Sequence, residues 1–447
     1  MRFRASDVAA ATGGRLAGPD VELDGVSFDS RTLQPGQLFV PIVAERDGHD
    51  FIEGALDRGA AAYLTSRPPS GTRTAIVVAD TLRALMALAA AQRPSFAGPV
   101  IGVTGSVGKT STKDFAHAAL AASLRTWSNE RSFNNEQGLP TTLLNAPHDA
   151  EVMVLEMGMR GHGEIAELCA IARPTVGVVT RVAEAHSERV GGLDGVARAK
   201  GELIEALPSD GTAILNADDE RVSAMASRTT GRVITFGVDE RADVRVTDLV
   251  LDEHARASFT VHSPWGSHAV RLGVAGRHMA TNAAAALACV GAVGADAAAG
   301  ASALSTVSLS SMRMAVHRTK AGAIVIDDSY NANPTSMRAA IDALVDLPST
   351  RKIAVLGLMA EIDAAEDEHR AIAEYAHGHG IELIAVGTEL YGVRPVEDPV
   401  AALGSLAGGE AVLVKGSRVV GLERVAAALL LDERVDASDV AVPREHE

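Results

Sequence analysis

The sequence predicts an α/β protein of three domains, built on parallel sheets that helices cover on both faces. The chain has 447 residues, which corresponds to about three domains at roughly 150 residues each. Short apolar runs alternate with helical periodicity over most of its length, and such runs are typical of parallel strands that are buried on both faces. A glycine-rich turn also stands between one apolar run and a helix.

Residues 1–97 are predicted to form the first domain. Short strand and turn segments occupy 25–32 and 36–42, and a helical stretch covers 81–91. The sequence A-G-P at 97–99 interrupts the pattern, so we expect a new unit to begin there.

Residues 98–308 are predicted to form a central domain around a parallel sheet. Its strand candidates are apolar runs of four to six residues, and a helix is expected over 110–124. The strand candidates are 100–103, 152–157, 175–180 and 213–216.

Residues 309–447 are predicted to form a Rossmann-like C-terminal domain, a small doubly wound sheet. Several of its apolar runs end in Asp, Gly or Lys, and ligands of open α/β sheets lie at the carboxyl ends of strands. The strand candidates are 323–328, 352–357, 382–387 and 411–416.

Composition excludes several classes of protein. The 41 basic and 57 acidic side chains give a net charge of −16, and only 3% of residues are aromatic. We therefore expect no nucleic-acid binding. Cys169 and Cys289 are too few for a disulfide framework and are expected to be buried thiols. The chain lacks a run of about 18 uncharged apolar residues and a signal peptide, so we expect a cytoplasmic protein without membrane insertion. A monomer is a separate expectation, which these absences do not determine.

The strongest local signal is G-V-T-G-S-V-G-K-T-S at 102–111, a strand that enters a glycine-rich loop and then a helix. Gly105 and Gly108 permit a tight turn whose backbone N–H groups, with those of Ser106 and Ser111, point at an anion. In such a P-loop, Lys109 reaches the β- and γ-phosphates and the Thr110 hydroxyl binds Mg²⁺. The alternative is a strand–helix turn that binds no ligand.

Three further side chains could complete a phosphoryl-transfer site. Glu156 ends the next apolar strand, where a metal-holding carboxylate is needed, although a strand-end Glu can also simply face water. His186 follows another strand end and is a candidate second metal ligand or a surface residue. Lys200 lies on a helix, and by itself is more typical of a solvated face.

Short blocks along nearly the whole chain resemble the Mur ligases, which form amide bonds in peptidoglycan precursor synthesis. The blocks include D-S-R (29–31), the phosphate loop, S-F-N-N-E-Q-G-L-P-T-T-L-L (132–144), L-E-M-G-M-R-G-H-G-E-I (155–165), A-H-S-E (185–188), A-R-A-K-G-E (197–202), G-R-H-M-A-T-N (276–282), D-D-S-Y-N-A-N-P (327–334) and V-K-G-S-R (414–418).

The resemblance implies ATP and Mg²⁺ as cofactors and assigns roles to matching positions. Those that match ATP- and metal-binding residues are Lys109, Thr110, Glu156, His186 and Lys200, the last of them carbamylated in the family. Asn282 matches an adenine contact, Arg313 a phosphate contact and Asp328 a ribose contact.

Other matching positions concern the substrates. Asn134, Asn135 and Thr141 match residues near the muramoyl-peptide site, and Tyr330 and Asn331 lie in the block typical of the dipeptide-adding member. Asp29, Ser30 and Arg31 match positions at which the first domain of the family binds the UDP group.

The implied reaction is ATP-dependent addition of D-alanyl-D-alanine to UDP-N-acetylmuramoyl-tripeptide through an acyl phosphate. Two alternatives stay open: a related ligase with another amine or acyl donor, and a nucleotide-binding protein that has lost its chemistry. The retention of Lys109, Glu156 and Lys200 favours an active enzyme.

Overall fold

The computed structural model describes residues 1–69, 71–130, 133–184 and 190–431. Within these residues, three larger sheets follow one another along the chain, with one additional two-stranded sheet. Helices alternate with strands in each unit, so the predicted α/β class is confirmed. The domain boundaries after residues 97 and 308 stay predictions.

The first unit is a five-stranded sheet in the order β2-β7-β6-β5-β4, parallel except for β2. Its strands and helices are β1 (Arg2–Arg4), α1 (Ala5–Thr12), β2 (Arg15–Ala17), β3 (Glu22–Asp24), β4 (Val26–Ser27), β5 (Leu38–Phe39), α2 (Ile52–Asp57), β6 (Ala62–Thr65), β7 (Thr74–Val77) and α3 (Thr81–Gln92). β1 and β3 form the separate two-stranded sheet. α3 begins where the Asp80 side chain accepts a hydrogen bond from the Arg83 N–H, a common N-cap.

The central unit is a nine-stranded sheet in the order β16-β15-β14-β13-β12-β11-β8-β10-β9. Its strands are β8 (Val100–Thr104), β9 (Thr126–Ser128), β10 (Val152–Glu156), β11 (Val176–Val179), β12 (Thr212–Asn216), β13 (Arg232–Gly237), β14 (Val244–Leu251), β15 (Arg256–Ser263) and β16 (Gly266–Ala275). β8, β10 and β12 are buried at every position, as expected for parallel strands that are covered on both faces.

Helices pack on both faces of the central sheet. They are α4 (Lys109–Ala121), α5 (Gly138–Leu144), α6 (Glu164–Ala172), α7 (Gly192–Glu205), α8 (Glu220–Ser223), α9 (Met279–Ala292) and α10 (Ala297–Ala303). The register pairs Glu156 with Val103 and Val179 with Thr104. The carboxyl ends of β10, β8 and β11 therefore meet at the glycine-rich loop.

The third unit is a five-stranded sheet in the order β17-β18-β21-β19-β20, in which only β17 is antiparallel. Its elements are β17 (Ala315–Arg318), β18 (Ile324–Asp327), α11 (Pro334–Val345), β19 (Arg351–Leu356), α12 (Ala365–Gly378), β20 (Glu382–Ala385), α13 (Pro399–Leu403), β21 (Glu410–Lys415) and α14 (Glu423–Leu430). Short 3-10 turns occupy Gly48–Phe51, Arg93–Ser95, Ala224–Arg228, Leu304–Thr306 and Arg418–Val420.

The predicted elements of the central and third sheets are present, with ends that differ by at most three residues, as is common at element termini. The extension β14–β16 was not predicted, and neither were β9, β13 and β17. Cys169 and Cys289 are free and buried, as expected. In the described part of the chain, no helix is long and apolar enough to cross a membrane.

Candidate active site

The loop between β8 and α4 is shaped by two glycines that cannot carry a side chain. Gly105 has φ +151°, and a Cβ there would lie 1.9 Å from Thr180 Oγ1; Gly108 has φ +84°, and its Cβ would lie 2.7 Å from Asn282 Oδ1. Both positions favour glycine because of their backbone conformation and because neighbouring side chains approach closely. The chain therefore bends tightly at the first turn of α4, as the sequence predicts.

Ser106 ties this loop to the segment after β11. Its N–H donates to Arg181 O at 2.7 Å and its Oγ donates to Ala183 O at 2.8 Å. Thr180 Oγ1 donates to Val107 O at 2.6 Å. These contacts hold the loop in shape without a ligand, which is the preorganisation that an anion site requires.

Lys109 begins α4 and points back over the loop, where its Nζ donates to Gly105 O at 2.6 Å. Burial lowers the pKa of this amine, the nearby Glu156 carboxylate opposes that shift, and Arg313 adds to it. The cation thus lies in a poorly hydrated position that a phosphate oxygen would stabilise.

Thr110 and Glu156 each present an oxygen without a partner. Thr110 is 3% exposed and Glu156 is 1% exposed, and among the described residues Thr110 Oγ1 and Glu156 Oε2 have no hydrogen-bond partner. The other carboxylate oxygen, Oε1, accepts from Asn134 Nδ2 at 2.7 Å. Buried polar atoms are normally paired, so these two oxygens fit Mg²⁺, which binds to one or two protein oxygens together with phosphate oxygens and water.

Lys200, on α7, is 2% exposed and lines the cavity that also contains Lys109, Thr110 and Glu156. Burial, reinforced by the positive charge of Lys109, holds the pKa of the Lys200 amine well below its ordinary value. The solvated position that periodicity alone favours is therefore wrong. His186 lies outside the described residues. Among the residues that the structure describes, no cluster of three or more His, Cys, Asp or Glu side chains is arranged to hold a metal ion.

One cavity of about 590 Å³ joins the glycine-rich loop to the third sheet. Predicted site residues that line it are Ser106, Gly108, Lys109, Thr110, Ser111, Asn134, Asn135, Glu156, Lys200, Asn282, Arg313, Asp328, Tyr330 and Asn331. The Arg313 guanidinium stacks on the Tyr330 ring, with Cζ 4.1 Å from the ring centroid, a favourable cation–π geometry.

Five other predicted residues in the described part of the chain do not line this cavity, and one of them is Gly105 of the glycine-rich loop. Asp29, Ser30 and Arg31 follow β4 in the first unit, where Arg31 Nη2 lies 2.8 Å from Asp29 Oδ2. Thr141 is 7% exposed, and its Oγ1 donates to Gln137 O at 2.8 Å within α5. The first unit reaches the loop that carries Asn134 through Phe28 and Phe133, whose ring centroids are 5.5 Å apart.

The cavity contains residues that sequence reasoning did not assign. Lys415 ends β21, is 2% exposed, and donates from Nζ to Asp328 Oδ2 at 2.5 Å and to Asn331 O at 2.8 Å. A lysine directly after an apolar strand was the available signal. His278 also lines the cavity, and burial lowers the pKa of its imidazole.

Comparison with known proteins identifies the family of this chain. The Mur ligase middle domain matches residues 103–290, and the Mur ligase glutamate ligase domain matches residues 312–440. Two UDP-N-acetylmuramoyl-tripeptide–D-alanyl-D-alanine ligases align along most of their length. The one from Mycobacterium tuberculosis H37Rv is 37% identical over 91% of this chain and 92% of its own. The one from Escherichia coli K12 is 35% identical over 93% and 96%.

Solved structures agree with the sequence relatives. MurF from Acinetobacter baumannii superposes with a TM-score of 0.84 at 30% identity, covering 96% of this chain and 99% of that chain. MurF ligase from Thermotoga maritima in complex with ADP gives 0.80 at 28% identity, covering 91% and 96%. The chain therefore belongs to the Mur ligase family.

Proposed function

We propose that this protein uses ATP to join D-alanyl-D-alanine to the terminal carboxylate of UDP-N-acetylmuramoyl-tripeptide, releasing ADP and phosphate. The observation that carries the proposal is the convergence of Lys109, Thr110 and Glu156 on one cavity that the third sheet also lines. The extent of similarity to ligases of this specificity supports the choice of substrates.

The chemical problem is that a carboxylate does not condense with an amine near neutral pH, because oxide is a poor leaving group. The carboxylate oxygen attacks the γ-phosphorus of ATP, and the bond from that phosphorus to the β–γ bridging oxygen breaks, releasing ADP. The free amine of D-alanyl-D-alanine then attacks the acyl carbon of the resulting acyl phosphate, expels phosphate and loses a proton.

The glycine-rich loop and Lys109 are proposed to hold the triphosphate during the first step. Carboxylate and γ-phosphate are both anions, so a fixed cation and inward-facing N–H groups reduce their repulsion. Gly105, Ser106, Gly108 and Ser111 supply the loop and the start of α4. Since the loop is already held by bonds from Ser106 and Thr180, little reorganisation is needed when ATP binds.

Thr110 and Glu156 are proposed to hold Mg²⁺, with His186 as a further ligand. Bound Mg²⁺ neutralises charge on the phosphate oxygens and orients them for in-line transfer. The unpartnered Oγ1 and Oε2 atoms support this assignment. Asn134 fixes the rotation of the Glu156 carboxylate by donating to its other oxygen.

Lys200 is proposed to act as a carbamate. A cationic lysine beside Lys109, both in the cavity wall, is electrostatically unfavourable. Attack of the neutral amine nitrogen on CO₂, with release of one proton to solvent, forms an N–C bond and gives a carbamate anion, which would compensate the charge of Lys109 and could help to hold Mg²⁺.

The third sheet and α9 are proposed to hold the nucleoside. Asn282 contacts adenine, Asp328 the ribose and Arg313 the phosphates. Their shared position on the cavity wall supports these roles. Tyr330 and Asn331 are proposed to contribute to the binding of the amine substrate. The cavity is lined by residues of both the central and the third unit.

The muramoyl substrate is proposed to extend from this cavity toward the first unit. Asn134 and Asn135 lie in the cavity wall, with Thr141 behind them on α5, and Asp29, Ser30 and Arg31 are proposed to hold the UDP group. We also expect the protein to work in the cytoplasm and as a monomer.

A coupled phosphate-release assay with defined substrates tests the proposal. Phosphate should appear only when ATP, Mg²⁺, the UDP-muramoyl tripeptide and D-alanyl-D-alanine are all present, and Lys109→Ala should abolish it without loss of fold. Turnover with another amine instead of the dipeptide would show a different ligase specificity. Absence of both ATP binding and ADP formation would overturn the proposal.

A further inference from the structure

Asp114, on the helix that follows the glycine-rich loop, binds the segment that leads to the third sheet. Its Oδ2 accepts from the Ser310 N–H at 2.8 Å, and its Oδ1 accepts from Ser310 Oγ at 3.2 Å. The two residues are 196 positions apart in sequence. Ser310 therefore has a direct polar attachment to α4, which begins at Lys109.

A buried lysine keeps the Asp114 carboxylate in place. Lys113 is 3% exposed, and its Nζ lies 2.7 Å from Asp114 Oδ1 and 3.0 Å from Asn129 O. The Asp114 side chain is itself only 12% exposed. Hydrogen bonds to an ionised, partly desolvated carboxylate are stronger than those between neutral groups.

The other end of the connecting segment is attached to the third sheet. Asp328 Oδ1 accepts from the Met314 N–H at 3.1 Å, and the Tyr330 N–H donates to Met312 O at 3.3 Å. Met312 and Met314 have φ of +59° and +49°, a conformation that side-chain-bearing residues rarely adopt unless their surroundings impose it. Arg313 lies between them.

We propose that Asp114 is a positioning residue for ATP, because it holds Ser310 in place and so presents Arg313 to the phosphate site. Asp114 does not line the cavity that contains Lys109 and Arg313; it borders a separate cleft of about 310 Å³ between α4 and residues 303–308. The path from Asp114 to Arg313 runs through the connecting segment, whereas an effect transmitted along α4 to Lys109 would not involve Arg313. The proposal rests on the proposed function, in which Arg313 contacts phosphate.

A double-mutant cycle separates this role from a contribution to folding alone. Asp114→Asn keeps the size and one acceptor oxygen but removes the charge, and Ser310→Ala removes one hydrogen bond while leaving the Lys113–Asp114 pair intact. Each is made alone and with Arg313→Ala, and melting temperatures are recorded for all variants. Thr306→Val is the matched control, because Thr306 lies in the same cleft and, among the described residues, its hydroxyl donates only to Ala303 O.

We expect Asp114→Asn to lower kcat/KM for ATP about tenfold, the scale of one charge-assisted hydrogen bond, mainly through KM. Ser310→Ala should have a smaller effect in the same direction, and Thr306→Val none. In the Arg313→Ala background, Asp114→Asn should change kcat/KM by less than about twofold.

Equal losses with and without Arg313, or no loss in either background, would overturn the proposal. The ADP affinity of the same single and double variants is also measured by calorimetry, which needs no muramoyl substrate. If the wild type binds ADP but forms no amide bond, the proposed function fails, while the affinity cycle still decides the role of Asp114.

Discussion

Asn134 Nδ2 lies 2.7 Å from Glu156 Oε1, while Glu156 Oε2 is buried with no hydrogen-bond partner in the part of the chain that the structure describes. The amide thus selects which carboxylate oxygen faces the cavity. Glu156 is further constrained because its own N–H donates to Asn129 Oδ1 at 2.7 Å. Backbone and side chain are both held, so this carboxylate is oriented before any metal binds.

Removing the Asn134 amide should weaken Mg²⁺ use more than it weakens folding. Loss of a group that orients a metal ligand typically costs about 10- to 100-fold in metal affinity or activity. Asn134→Ala should therefore raise the Mg²⁺ concentration for half-maximal phosphate release by that factor. Ser227→Ala, an exposed residue that donates only to Ala224 O, is the control. An unchanged Mg²⁺ dependence in Asn134→Ala would contradict the orienting role.

Lys200→Ala should be nearly inactive and should regain part of its activity with a short added carboxylate. The substitution opens space in the cavity wall, and formate or acetate can supply the negative charge that a carbamate would provide. Activity is measured across carboxylate concentrations, with chloride at equal ionic strength as the control. Carbon-13 NMR of the wild type in labelled bicarbonate gives an independent readout, and absence of a carbamate signal at saturating bicarbonate would count against this form.

Gly108→Ala should abolish nucleotide binding while the fold persists. The added Cβ would lie 2.7 Å from Asn282 Oδ1 and would occupy a backbone conformation with φ +84°. The backbone strain alone costs about 1–2 kcal/mol, and the clash would displace the loop or Asn282. Gly13→Ala, with φ +64° and no atom within 4 Å of its Cβ, isolates the conformational cost. Calorimetry with ADP should show normal binding for Gly13→Ala and none for Gly108→Ala; equal affinities would refute the prediction.

Acid should destabilise the protein in part through His369. This side chain is fully buried, its Nε2 accepts from the Met359 N–H at 2.9 Å, and burial lowers the pKa of the imidazole. In the unfolded chain the imidazole takes up a proton near its ordinary pKa of about 6.5, whereas in the folded chain it takes up the proton only at lower pH. The free energy of unfolding should therefore fall as the pH drops below about 6.5, by about 1.4 kcal/mol for each unit of pKa depression, until the folded pKa is passed.

His369→Gln keeps a hydrogen-bonding side chain that does not titrate. The fall in the free energy of unfolding between about pH 7.5 and pH 5.5 should be smaller in this variant than in the wild type. Urea unfolding followed by circular dichroism measures both. His117 and His278, whose pKa values burial also lowers, remain in both proteins and cancel in the comparison. Identical pH dependences would exclude His369 as the source.

Local patterns in the sequence were sufficient to predict the phosphate loop, four of the nine strands of the central sheet and four of the five strands of the third sheet. A strand, two glycines, Lys109, Thr110 and a helix are neighbours in the chain, so their geometry follows from short-range sterics and hydrogen bonding. The extension β14–β16 was missed. Its long strands alternate between buried and partly exposed positions, so they lack the continuous apolar run that is typical of strands buried on both faces.

Contacts between distant residues were decided only by the tertiary structure. Asn134 meets Glu156, Lys415 meets Asp328 across 87 positions, and Asp114 meets Ser310 across 196. No periodicity specifies such pairs, because they depend on which strand ends the sheet order brings together. The burial of Lys200 was likewise decided only by the tertiary structure. The sequence alone favours a solvated Lys200, whereas the packing of α7 against the central sheet places its amine in the wall of the cavity.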